Sequence, residues 1–100
     1  MTIEKRIYDA NRAREILENP VYSDVVKDIK QELTEQWMAT PARDEAGREK
    51  IWLMLKMLEK IDRTIVATLE SGKLAEAEMR HQQSLSEKAK EFLGLTSQDW

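Results

Sequence analysis

The chain has 100 residues, 41% of them hydrophobic and 35% charged, which fits one globular domain and excludes a disordered or fibrous protein. It contains no cysteine, so disulfides, thiolate metal sites and a cysteine nucleophile are all excluded. Sixteen Lys and Arg stand against nineteen Asp and Glu, a net charge of −3 that lacks the basic footprint of a nucleic-acid binder.

The balance holds locally. Residues 1–19 carry four charges of each sign and residues 41–72 carry six of each, so there is neither a polybasic arm nor an acidic tail. No targeting segment is expected, because Met1 to Ala13 has no apolar centre. The longest apolar run, Ile51 to Leu55, falls far short of the ~20 residues of a membrane span. The expected setting is the cytoplasm, with no membrane partner.

Four helices are predicted, over about 3–18, 20–39, 43–71 and 73–93, with a tail at 95–100. Thr2 is placed to cap the first, whose stripe of Ile3, Ile7, Ala10 and Leu17 is narrow and interrupted by Arg14. Asn19-Pro20 ends that helix and opens the next, supplying a cap residue followed by proline at the first helical position. The second helix gathers Tyr22, Val25, Val26, Ile29, Leu33 and Trp37 on one face, and Thr40-Pro41 stops it. The stripe of the third is Ile51, Met54, Leu55, Leu58, Ile61, Ile65 and Leu69. Gly72 followed by Leu74 reads as a Schellman-type stop. The fourth segment has a weaker seam of Leu74, Glu78, His81, Leu85, Lys88 and Phe92, and Gly94 ends it.

The short connection between the second and third helices makes them antiparallel and sets Leu33 near Ile51 and Tyr22 near Asp62. The expected fold is therefore all-α: a long antiparallel helical hairpin with additional N- and C-terminal helices, assembled as a helical-bundle oligomer. At 1.5 Å per residue the second helix spans ~30 Å and the third ~40 Å or more. The far end of the third, Ile65 to Leu69, needs cover from the first helix, the fourth or a second copy.

Asp62 falls inside the apolar stripe, where a lone carboxylate is costly, and the expected remedy is a bond from the Tyr22 hydroxyl or from a cation such as Arg14. His81 is the single histidine. Glu78 and His81 have the Glu-x-x-His spacing of di-iron bundles, but one copy without further inward carboxylates points to no metal and no cofactor. Trp52 and Leu53 make the run Ile51 to Leu55 apolar all round, so that two sides of the helix require cover. Trp52, Leu53, Met57, Ile65, Val66 and Leu69 are the candidate interface residues; Trp37 is expected in the core, and Trp100 in a loose tail. Neither a phosphate loop nor a catalytic triad is present. Arg43, Arg48, Lys50 and Lys56 are interleaved with Asp44, Glu45 and Glu49, which disfavours DNA.

Glu18-Asn19-Pro20, Trp37, Thr40 to Asp44, Gly47 to Lys50, Trp52 to Lys56 and Leu69 to Ala75 together resemble short helical proteins encoded by tailed bacteriophages and prophages. The resemblance covers roughly residues 13–75. It implies a phage protein that acts by contact rather than catalysis, in virion assembly or packaging, and it supplies no catalytic residues. The expected partners are a second copy, with a dimer favoured, and either a phage structural or packaging protein or a host protein. A host-enzyme or defence-complex inhibitor is the alternative, and a small terminase-like DNA-binding subunit ranks below both.

Overall fold

A computed structural model describes residues 1–94, and the expected tail with Trp100 lies outside them. The described residues form three helices and no strand: α1 (Ile3–Leu17), α2 (Pro20–Ala39) and α3 (Glu45–Leu93). Each start is fixed by a side-chain oxygen accepting from a free backbone N–H of the first turn. Thr2 accepts from Lys5, Asn19 from Val21 with Pro20 at the first helical position, and Asp44 from Gly47. Thr40 is extended and ends α2, while Gly94, at φ 71°, ends α3 in the left-handed conformation that glycine adopts without penalty.

The main departure from expectation is at Gly72. The helices predicted over 43–71 and 73–93 are one helix of 49 residues, and Gly72 lies buried within it. A Cβ at Gly72 would overlap the Cβ of Ala10 and approach the Arg6 carbonyl oxygen to 2.9 Å. Glycine therefore serves there to let α1 and α3 touch backbone to backbone. The other small residues of this contact, Ala10, Ala13 and Ala75, are also buried. Arg6 fastens the crossing: its guanidinium donates to the Ser71 hydroxyl and carbonyl, both at 3.0 Å, and to Glu78 at 3.4 Å.

α2 runs back along the first half of α3, with Leu33 buried and the Tyr22 hydroxyl beside Asp62. The turn between them is closed by Arg48, which donates to the Thr40 carbonyl at 2.8 Å and lays its guanidinium 3.6 Å from the Trp37 ring centre. Trp37 thus leaves the core expected for it and is 38% exposed, packed beneath a cation. α1 then covers the middle of α3, the role the unmatched length of the third helix requires. Residues 80–93 are exposed throughout, so the end of α3 projects as an arm.

The molecule is only two helices thick, 81 × 25 × 16 Å, with a radius of gyration of 23.2 Å where a compact chain of this length has ~13 Å. Two packed cylinders enclose a seam rather than a volume. Its buried apolar residues are accordingly Ala10, Ala13, Leu33 and Ala75, and no large side chain among the described residues is fully buried.

Candidate interaction surface

Tyr22 and Asp62 fix the level at which α2 and α3 meet. The Tyr22 hydroxyl donates to Asp62 Oδ1 at 3.2 Å, so of the two partners expected for this carboxylate the tyrosine is the one present. Arg14 instead donates to Asn11 within α1. Burial raises the Tyr22 pKa above its ordinary value, and the bond to Asp62 and that group's negative charge add to the rise.

The α2–α3 layer has two flanks of different chemistry. On one, Val26, Lys30, Leu58, Glu59, Asp62 and Arg63 line a shallow cleft of about 220 Å³, continued by a second hollow of about 340 Å³ along Leu17, Tyr22 and Lys27. Trp52 lies in the same row of α3, seven residues before Glu59, with Lys56 Nζ 5.5 Å from its ring centre. Lys27, Lys30 and Arg63 form no ion pair among the described residues, giving this flank a cationic rim.

The other flank is apolar. Met57, Lys60, Ile61, Thr64 and Ile65 line a groove there of about 310 Å³. Met54, Met57 and Ile61 are 53%, 59% and 50% exposed, and on the α2 side Val21, Val25 and Ile29 are exposed as well. In an antiparallel pair, rows on the same side of the seam lie together. Lys30 beside Glu59 and Arg63 therefore assigns Val25 and Ile29 to the flank of Met54 and Ile61.

The six interface candidates divide between these surfaces. Trp52 belongs to the cationic flank, Met57 and the half-buried Ile65 line the apolar groove, Leu53 is exposed, and Val66 and Leu69 are half-buried. Met54, Ile61, Val25 and Ile29, read from sequence as core stripe, belong instead to the open flank. The signal was present in the stripe itself, which is wider than one partner helix can cover. Glu78 is held by Arg6, and His81 is exposed on the arm, so the Glu-x-x-His pair faces no further ligand. Among the described residues there is no cluster of three His, Cys, Asp or Glu that could hold a metal, and no helix is long and apolar enough to cross a membrane. Comparison with protein families, curated proteins and solved structures gives no match to the chain.

Proposed function

We propose that this chain is a non-enzymatic interaction protein that self-associates through the long helix and presents a second face to a different protein. One observation carries the reading: Met54, Met57 and Ile61 are left open while the buried apolar set among the described residues is three alanines and one leucine. An enzyme concentrates polar groups in a concave pocket, whereas this molecule concentrates apolar side chains on an open flank. The likeness of residues 13–75 to phage and prophage proteins makes a virion-assembly or packaging accessory the preferred role, exercised in the host bacterial cytoplasm or within the particle.

A host-directed inhibitor is the second reading, and the cationic flank favours it. Lys27, Lys30 and Arg63 along the cleft, with exposed Trp52 beside Lys56 farther along the same flank, suit an acidic protein surface with an apolar anchor point. Tagged protein purified from infected cells, followed by reconstitution with each isolated partner, separates the readings. A capsid, portal or packaging component supports the first and a host enzyme the second. Salt-sensitive binding to duplex DNA with neither partner would overturn both.

A further inference from the structure

The open apolar flank is the uncovered half of a face whose other half α1 already occupies. Along α3, Met54, Met57, Ile61, Ile65, Thr68, Gly72, Ala75 and Met79 follow one another at steps of three and four, which is a single helix-binding row. α1 packs on its second half, with Ala10 against Gly72. The first half is left open, and none of the described helices covers it.

We infer that α2 of a second copy fills this half, so that two α2–α3 layers close into a four-helix bundle about a two-fold axis parallel to the helices. This rests on the self-association proposed above and specifies its surface. An isologous contact needs a self-complementary patch, which an apolar flank is and a cationic one is not. The charged borders select the axis. Asp24, Asp28 and Glu32 edge the flank on α2, and Lys50 and Lys60 edge it on α3, all of them exposed.

An axis parallel to the helices lays the partner's α2 over α3, so that acidic edge meets lysine edge twice. A two-fold perpendicular to the helices would stack α2 on α2 and bring like charges together. Because Tyr22 stands level with Asp62, Asp24 stands level with Lys60, two residues along each antiparallel helix. The parallel axis preserves level, and Asp24 of the partner subunit then faces Lys60.

The test is sedimentation equilibrium of the full chain, with circular dichroism to follow helix content. The expected results are a dimer for the unaltered protein and loss of the dimer for Ile61→Glu. Lys60→Glu and Asp24→Lys should each weaken association about tenfold at low salt, and an equimolar mixture of these two variants should recover it as a heterodimer. In that pairing both sites are again of opposite charge. A helical monomer at high concentration would overturn this arrangement and self-association together. A dimer indifferent to Ile61→Glu but broken by Trp52→Glu would overturn the arrangement alone. Failure of the mixed charge variants to recover binding would overturn the parallel axis, whether or not Ile61→Glu folds.

Discussion

Tyr22 and Asp62 show how one hydrogen bond sets the register of a thin molecule. At half-exposed positions such a bond contributes little, ~0.5–1 kcal/mol, but it is the polar contact that pins α2 to α3 at that end. Tyr22→Phe should lower stability by about that amount at neutral pH in urea unfolding. The pH dependence has a definite sign. The phenol pKa is raised in the folded state, so its contribution is complete below about pH 10, the unfolded value, and is lost as pH rises through the folded one. The difference between the two proteins should therefore be constant from pH 6 to 9 and shrink above pH 10. A difference that grew in alkali would remove the bond from the account.

At the scale of elements, the interruptions of the chain were legible where they depend on local chemistry. Thr2, Asn19-Pro20, the stop at Thr40 and Gly94 each act through atoms within a few residues, and each appears as expected. Gly72 was not legible, because a glycine that ends a helix and a glycine that admits a neighbouring helix look alike until the neighbour is known. Ala10, Ala13 and Ala75 carried a hint, as small residues three apart on two helices suit close packing. The two readings predict opposite signs for Gly72→Ala. At an ordinary interior helix position alanine would stabilise by up to ~1 kcal/mol. Here its methyl group would overlap Ala10 and crowd the Arg6 carbonyl, and the expected result is a loss of ~1–3 kcal/mol, seen as a lower urea midpoint.

The arm belongs to the same scale. Residues 80–93 are exposed throughout, so removing everything after Met79 should reduce the helical dichroism signal while leaving the unfolding midpoint nearly unchanged. A large fall in midpoint would mean that Leu85 or Phe92 is covered in solution. The division of the α2–α3 layer into an apolar and a cationic flank was likewise beyond sequence. Both α2 and α3 are amphipathic with broad stripes, and which edge of each stripe stays open depends on where α1 comes to rest.

At the scale of the whole molecule, the stability of a single copy is the deciding quantity. A chain of 100 residues normally gains its few kcal/mol from a core of large side chains, and the described residues of this one bury a single leucine and three alanines. Hydrophobic stabilisation follows the area removed from water, at ~25 cal/mol per Å². In the proposed dimer, covering Val25, Ile29, Met54, Met57 and Ile61 would add the kind of core that the isolated layer lacks. Folding and association would then be linked, and the melting temperature would depend on protein concentration. A hundredfold dilution should lower the melting temperature of the unaltered chain by several degrees, while Ile61→Glu should melt lower and at a temperature independent of concentration. A concentration-independent melt of the unaltered chain, at the temperature of an ordinary globular domain, would show that the two-helix layer is stable alone and that its apolar flank serves a different protein.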